Sequence, residues 1–387
     1  MVINYLPFNS LLSNIVDNRG RTCPTVDNGI PLIATNCIRN DLLYPAYEKI
    51  RYVSKTIYDT WFRGHPKPGD LIFVTKGSPG RVCMVPDPVD FCIAQDMVAI
   101  RANETKIYPK YLFALLRSPE VQNKINNMHV GTLIPHFKKG DFDKLLLPIP
   151  DRDIQIGVGD FYFSLSSKIE INRRMNVTLE ATAAALFRHW FVDNPEAKGW
   201  EVKPLDQIAN FLNGLALQKY PPEGDDCLPV IKIAQLRKNN SEDADKASTN
   251  IPDAYIVNDG DILFSWSGSL EVTIWCGGKG ALNQHLFKVT SDGYPRWFYY
   301  HWIKHHLLEF QQIAAGKATT MGHIQRHHLT AAEVVVPSKE EMVGMNEILS
   351  PILDRIIFNN LESRTLTSLR DILLPKLMTG EIRVKVS

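Results

Sequence analysis

A short arrangement of two carboxylates and a lysine could bind a metal ion and cut a phosphodiester. Pro86 and Asp87 are followed by Glu104 and Lys106, which matches the PD…ExK pattern that holds Mg²⁺ on two carboxylates beside a lysine. The pattern is short, it lies in only one of the chain's two repeats, and Glu104 is predicted to lie in a loop before a helix. We therefore keep a Mg²⁺-dependent nuclease, or another DNA-acting enzyme, only as an alternative to the function considered below.

Two groups of histidines have a spacing that could chelate a metal: His301, His305 and His306, and His323, His327 and His328. Residues at i and i+4 share one helix face, as metal ligands on a helix require. No carboxylate is suitably placed within the same helical turn to make an HExxH motif, and the six cysteines form no Cys-x-x-Cys pair. We therefore expect packing and surface roles for the histidines, with no metal and no cofactor.

The motifs of nucleotide and methyl-transfer chemistry are missing from the sequence. It contains no GxxxxGK[ST] phosphate loop, no GxGxxG and no Asn/Asp-Pro-Pro-Tyr. Hydrophobic residues make up 44% and charged residues 22%, which is typical of a globular protein. No apolar run approaches the roughly 20 residues that span a bilayer. We expect a cytoplasmic protein of two or three compact units without catalytic residues.

An internal repeat organises the chain. The segment TLIPHFKKGDFDKLLLPIP from Thr132 matches TTMGHIQRHHLTAAEVVVP from Thr319, and the same offset continues into the helical segment that follows each copy. Upstream, GDLIFVTKGS from Gly69 matches GDILFSWSGS from Gly260. The GDLIF and GDILF segments are typical of a turn followed by a strand, and LLLPIP and EVVVP of short buried strands that end at proline. The sequence predicts two similar mixed α/β domains.

Each copy of the repeat ends in a long amphipathic helix. Residues at seven-residue intervals form its apolar seam, and they are Leu165, Asn172, Leu179 and Leu186 in the first copy and Ile352, Asn359, Leu366 and Leu373 in the second. Such spacing is typical of coiled-coil pairing, so we expect an α+β protein whose two domains are separated by two long helices packed as an antiparallel coiled coil. The first helix, from about Ser164 to Val192, would be roughly 43 Å long.

One asparagine lies at the same place in each seam. A buried asparagine in a coiled coil lowers stability and fixes register. We therefore expect Asn172 and Asn359 to meet between the two helices, with an exposed or capping role as the alternative.

The order of these features along the chain, strands and loops followed by a long helix in each copy, resembles that of the DNA specificity subunits of type I restriction-modification systems. The resemblance covers essentially the whole chain. The resemblance is carried by the GDLIF and GDILF strands, the GTLIPHF and TTMGHI loops, the two asparagine-bearing helices and the closing LLPKLMTGEIRV. It implies a first target-recognition domain at residues 1–150 and a second at 196–340. A central helical spacer at 151–195 and a C-terminal helix at 341–387 would pair with each other.

The resemblance also implies the partners and the division of work among them. The chain would recognise a bipartite double-stranded DNA target, one half per recognition domain. Two modification subunits, which carry the adenine methyltransferase chemistry, would bind around the helical spacer, and restriction subunits, with endonuclease and translocase activity, would join for cleavage. The chain itself would have no catalytic centre.

Two loops in each half carry side chains of the kinds that contact bases and phosphates, and we expect the DNA contacts there. The candidates are Lys76, Ser78 and Arg81 with their counterparts Ser267 and Ser269, and Thr132, His136, Lys138 and Lys139 with their counterparts Thr319, His323, Gln325 and Arg326. For the two threonines, turn formation is an equal alternative to DNA contact. For Lys139 and Arg326, the equal alternative is a surface cation that contacts only water. Gln95 and Gln284 fall near the same place in each repeat. Each could contact DNA or could equally be a buried hydrogen-bonding group.

Overall fold

The chain divides into two units, each of which combines an α/β segment with parts of two long helices. Unit 1 comprises Met1–Ile171 and Thr365–Ser387, and unit 2 comprises Asn172–Arg364. The computed structural model describes residues 3–18, 20, 22–128, 135–316 and 322–384. The strand orders of the two α/β segments correspond, apart from one added edge strand in unit 2, so the internal repeat of the sequence is also a repeat of fold.

Unit 1 contains three groups of paired strands. Its strands are β1 (Asn4–Pro7), β2 (Leu12–Asp17), β3 (Ile30–Ile33), β4 (Arg51–Val53), β5 (Leu71–Val74), β6 (Val82–Met84), β7 (Cys92–Ile93), β8 (Met97–Ala102) and β9 (Leu146–Ile149). Its helices are α1 (Lys55–Thr60), α2 (Pro109–Arg117), α3 (Pro119–Met128) and the first part of α4 (Arg152–Phe187). The strands pair in the orders β2-β8-β5-β6, β4-β3-β7 and β1-β9.

Unit 2 repeats this arrangement. Its strands are β10 (Glu201–Pro204), β11 (Asn210–Asn213), β12 (Cys227–Ile231), β13 (Lys246–Ser248), β14 (Ile256–Val257), β15 (Ile262–Ser265), β16 (Val272–Ile274), β17 (Gly280–Leu282), β18 (Leu286–Thr290) and β19 (Glu333–Val336). Its helices are the rest of α4 with a π-helical turn at Arg188–Val192, α5 (Leu205–Ile208), α6 (Ile233–Lys238), α7 (Arg296–Ala315), α8 (Arg326–Ala331) and most of α9 (Lys339–Thr379). The strand orders are β11-β18-β15-β16, β13-β12-β17-β14 and β10-β19.

The repeated Gly-Asp pair anchors the central strand of each unit. The carboxylate of Asp70 accepts from the backbone N–H of Lys67 at 2.8 Å and from the Arg101 guanidinium at 2.7 and 2.8 Å. In unit 2, Asp261 accepts from the backbone N–H of Asn258 at 2.8 Å and lies 2.9 Å from the Lys288 ammonium. The aspartate closes a tight turn and binds a cation on the neighbouring strand, which explains why the strand begins there.

Each unit has its own apolar core. In unit 1 the buried rings of Phe8, Phe73, Phe137 and Phe142 pack against one another under α2. In unit 2 the core extends from the β15 sheet to the aromatic face of α7 and to the buried side chains of α4 and α9. Separate cores of this size are what a chain longer than one ordinary domain requires, and they confirm the predicted α+β class with two similar domains.

The helices α4 and α9 run antiparallel where they pack. In unit 1 the Arg370 guanidinium lies 5.5 Å from the ring centroid of Tyr162. In unit 2 the side-chain amide of Asn172 donates to the Glu362 carboxylate at 2.7 Å and to the carbonyl of Asn359 at 3.4 Å, whereas that of Asn176, one turn later on α4, donates to the carbonyl of Ile356 at 3.3 Å. Residue numbers thus fall along α9 as they rise along α4, as predicted.

In the predicted seam of α4 and α9, the two asparagines are more deeply buried than the apolar residues. Asn172 and Asn359 are fully buried, while Leu165, Leu179, Leu186, Ile352, Leu366 and Leu373 are of intermediate exposure. Fully buried apolar side chains lie beside these positions, for example Leu353 and Leu374. Because each part of a helix packs on the core of the unit that contains it as well as on the other helix, the buried face is wider than a two-in-seven stripe.

The first long helix is longer than its heptads indicate. It begins at Arg152 rather than near Ser164, so its predicted start was wrong by several turns. The early turns contain Gly157 and Gly159, which disfavour a helix in isolation. Gly159 is tolerated because an added Cβ would meet the backbone N of Tyr111 at 2.6 Å, so close packing on α2 selects glycine there. Among the described residues, no helix combines the length and apolarity that a bilayer crossing needs.

Candidate nucleic-acid interface

In unit 1 the two predicted DNA-contact loops lie side by side. The backbone N–H of Phe137 donates to the carbonyl of Thr75 at 2.9 Å, and that of Gly77 donates to the carbonyl of Pro135 at 2.9 Å. Lys76 and His136 face each other in an isolated antiparallel bridge. We call residues 75–77 with 135–137 the first loop pair. It brings together two candidates that are far apart in the sequence.

Unit 2 builds the same structure. The backbone N–H of Ile324 donates to the carbonyl of Trp266 at 3.0 Å, that of Gly268 donates to the carbonyl of Gly322 at 2.8 Å, and Ser267 forms a bridge with His323. We call residues 266–268 with 322–324 the second loop pair. The two loop pairs therefore have a common backbone geometry.

A glycine is needed at the turn of each loop pair. Gly77 has φ +86° and Gly268 has φ +68°, a left-handed conformation that costs side-chain-bearing residues energy. This requirement explains why TKGS and SWSGS share their glycine while the neighbouring side chains differ.

The first loop pair is cationic. The Lys76 side chain is 44% exposed and its ammonium lies 3.9 Å from the Asp96 carboxylate. Arg81 and Lys138 are exposed and Ser78 is of intermediate exposure. Lys139 is less exposed, with its ammonium 3.9 Å from the Asp17 carboxylate. At these distances and exposures the carboxylates hold the ammonium groups weakly, so the lysines can turn to phosphates.

The second loop pair is less charged. Ser267 is buried and its hydroxyl lies 2.9 Å from Nδ1 of His285, so that hydroxyl is already engaged. Ser269 is exposed. The ring of His323 packs edge-on to Trp266 at 6.4 Å between centroids. The polar surface here comes from other side chains than in unit 1.

The remaining predicted contacts fall at or beside the start of α8. Gln325 is exposed, and its backbone N–H donates to Nδ1 of His328 at 2.8 Å. Arg326 is exposed and its guanidinium donates to the carbonyl of Phe211 at 3.3 Å. The predicted contacts Thr132 and Thr319 lie outside the described residues.

A residue that the sequence did not single out supports each loop pair. The carbonyl of Asp96 accepts from the backbone N–H groups of Thr75 at 3.0 Å and Lys76 at 3.2 Å. At the equivalent place in unit 2, the carbonyl of His285 accepts from the backbone N–H of Trp266 at 3.3 Å. The sequence could have indicated these two residues through the adjacent glutamines, Gln95 and Gln284, because these recur at the same place in both repeats.

Three residues of the possible metal chemistry, Lys106, His301 and His306, make other contacts. Lys106 donates to the carbonyl of Ser10 at 3.0 Å, and within the described ranges no three His, Cys, Asp or Glu side chains are grouped to hold a metal ion. Burial, with a smaller effect of Lys304, lowers the pKa of His301 to about 3, and its ring stacks on Phe187. His306 bonds through Nε2 to the carbonyl of Glu333 at 2.9 Å.

The comparisons with known proteins agree with the repeated geometry. A family model described as the type I restriction modification DNA specificity domain matches residues 19–181 and again residues 197–367. The HindI specificity subunit of Haemophilus influenzae is 23% identical over 82% of this chain and 87% of its own length. The MjaIX specificity subunit of Methanocaldococcus jannaschii is 23% identical over 92% of this chain and 87% of its own length.

A solved structure has the same fold. The S subunit of a type I restriction-modification system from M. genitalium superposes with a TM-score of 0.55 over 97% of this chain and 96% of its own, at 16% identity. Since the family model matches the chain twice, and each match contains one of the loop pairs, the chain belongs to the type I restriction modification DNA specificity family, as a non-catalytic subunit that recognises DNA.

Proposed function

We propose that this chain recognises a bipartite double-stranded DNA target, one half through each unit. The recognition domains are residues 1–150 and 196–340, and the helical segments 151–195 and 341–387 set the gap between the two half-sites. The subunit directs adenine methylation and DNA cleavage by its partner subunits in the cytoplasm, and it needs no cofactor of its own.

One observation carries this proposal: the same loop backbone is built twice and presents different side chains each time. Lys76 in the first loop pair is replaced by Ser267 in the second, and the hydrogen bonds that hold the two loops are otherwise equivalent. Sequence is recognised by side chains that reach base edges, while a common scaffold positions the protein on the backbone. Two different half-sites need this combination.

The proposed DNA contacts are the polar side chains of the two loop pairs and their flanks. They are Lys76, Ser78, Arg81, Thr132, His136, Lys138 and Lys139 for the first half-site, and Ser269, Thr319, His323, Gln325 and Arg326 for the second. The exposed cations among them suit phosphates. His136 and His323 occupy equivalent places, which suits a contact that both half-sites share.

The modification subunits are proposed to bind along the long helices. These helices expose large apolar side chains, namely Ile171 and Val177 on α4 and Val343, Ile348, Phe358, Leu369 and Ile372 on α9. Apolar side chains that a long helix exposes would be buried by a partner subunit that packs on it. The restriction subunits join the assembly for cleavage.

Methylome sequencing of a strain with and without this gene tests the proposal. We expect adenine methylation at a motif with two defined halves and an undefined gap of fixed length, and its loss when the gene is deleted. A motif without a gap, or methylation that does not depend on the gene, would contradict the proposed function.

A further inference from the structure

A cleft lined by polar and apolar side chains opens beside the first loop pair in unit 1. It has a volume of about 160 Å³, and its lining includes Thr35, Arg51, Trp61, Gln95 and Asp96. Asp96 is the residue whose carbonyl holds the backbone of residues 75 and 76. The cleft is therefore continuous with the loop that we place on DNA.

Two side chains of this cleft have unused hydrogen-bonding groups. Arg51 is exposed at the start of β4, and Gln95 is half-buried just after β7. In the part of the chain that the structure describes, the side chains of Arg51 and Gln95 take part in no hydrogen bond or ion pair. Both are thus available to a ligand.

Strand pairing identifies the residue of unit 2 that stands in place of Arg51. In unit 1, Leu32 of β3 lies opposite Arg51 of β4 and pairs in parallel with β7. In unit 2, Val230 of β12 pairs in parallel with β17 in the same way, and its backbone N–H donates to the carbonyl of Asp245 at 2.7 Å. The counterpart of Arg51 is therefore Asp245.

The equivalent place in unit 2 is closed by an ion pair. Ala34 follows β3, and its counterpart Lys232 follows β12; the Lys232 ammonium pairs with the Asp245 carboxylate. In unit 1 the small side chain of Ala34 leaves the space open and offers no charge to Arg51. The glutamine that follows the parallel strand also has different surroundings in the two units. The amide nitrogen of Gln284 lies 3.4 Å from Nε2 of its neighbour His285, whereas the neighbour of Gln95 is Asp96.

We propose that Arg51 and Gln95 recognise purine edges in the half-site bound by unit 1. A guanidinium matches O6 and N7 of guanine with two parallel hydrogen bonds, and a glutamine amide matches N6 and N7 of adenine. Arg51 is assigned to a guanine and Gln95 to an adenine. The inference rests on the proposed function, and it adds which residues of unit 1 distinguish one base from another.

Selection from a random-sequence duplex library tests this assignment. The full chain, assembled with its modification subunits, is compared with Arg51→Lys, Gln95→Ala and the matched control Asp245→Ala. We expect Arg51→Lys to lose a guanine preference at one base pair of one half-site, because lysine keeps the charge and loses the planar fork. Affinity for the wild-type target should fall about 5- to 150-fold. Gln95→Ala should lose an adenine preference in the same half-site, and Asp245→Ala should leave that half-site unchanged.

The outcomes separate the two levels of the proposal. If the wild-type assembly selects no split motif, the proposed function itself fails. If it selects one, and Arg51→Lys keeps every base preference, then the guanidinium fork of Arg51 does not select a base and the assignment is overturned. Loss of preference in both half-sites by one substitution would also overturn it.

Discussion

The cations around the first loop pair differ in what holds them. The Lys139 ammonium lies 3.9 Å from the Asp17 carboxylate, whereas Lys144, a few residues further along, donates to the Asp141 carboxylate at 2.7 Å. The longer separation leaves Lys139 available to a phosphate. The shorter ion pair makes Lys144 a suitable control from the same surface segment.

We predict that Lys139→Ala weakens DNA binding on all sequences alike. Each phosphate contact that is lost should reduce the slope of log affinity against log salt by about 1. Arg326→Ala should do the same through unit 2, and Lys144→Ala should not. Titration of cognate and random duplexes at several salt concentrations measures this. An unchanged slope would remove Lys139 from the interface.

The buried aspartate of unit 1 gives a stability prediction. Asp70 is 2% exposed and accepts hydrogen bonds from Lys67 and Arg101. Asp70→Ala leaves these donors without their acceptor, and we expect a loss of about 1.5–3 kcal/mol in the free energy of unfolding of unit 1. Urea unfolding followed by hydrogen exchange on β5 measures it. Asp59→Ala, which breaks an exposed helical ion pair, should change it by less than about 0.5 kcal/mol.

A buried histidine makes unit 2 sensitive to acid. Burial lowers the pKa of His301 from 6.5 to about 3, so the folded state binds this proton less readily than the unfolded state. The stability due to the neutral ring is complete above about pH 6.5 and is lost progressively as the pH falls toward 3. His301→Phe should reduce the fall in the thermal midpoint between pH 6.5 and 4.5. An unchanged pH dependence would show that other groups cause it.

At the scale of the elements, the pairing of α4 with α9 depends on a polar network. Asn359 donates to the side-chain carbonyl of Asn176 at 2.8 Å, and Asn176 donates to that of Asn360 at 2.8 Å. Asn172 donates to the Glu362 carboxylate at 2.7 Å. These groups fit in one register only, which is the physical reason for asparagine at the repeated seam position.

We predict that Asn359→Leu alone destabilises the helix pair. The side-chain carbonyl of Asn176 would lose its donor inside the seam, which costs about 1–3 kcal/mol. Thermal unfolding of the full chain should show a lower midpoint. Asp354→Ala, an exposed position on the same helix, should leave it unchanged. A midpoint that rises with Asn359→Leu would contradict the role of the network.

Some elements were predictable because a local pattern determines them. The Gly-Asp turn before β5 and β15 and the seven-residue spacing of α4 and α9 appear directly in the residues. The heptad pattern did not indicate the start of α4, since its two glycines disfavour a helix until packing on α2 is known. Arg51 was missed for a different reason. The pairing of β3 with β4 and β7 brings it to Ala34 and Gln95, and no local pattern specifies that pairing.

At the scale of the whole molecule, the central claim is that each unit recognises one half of a split target. The most direct test replaces residues 196–340 with the corresponding segment of the HindI specificity subunit and maps the methylation motif of the chimaera. We predict that one half of the motif changes, while the other half keeps its sequence. A motif in which both halves change, or in which neither does, would contradict the account.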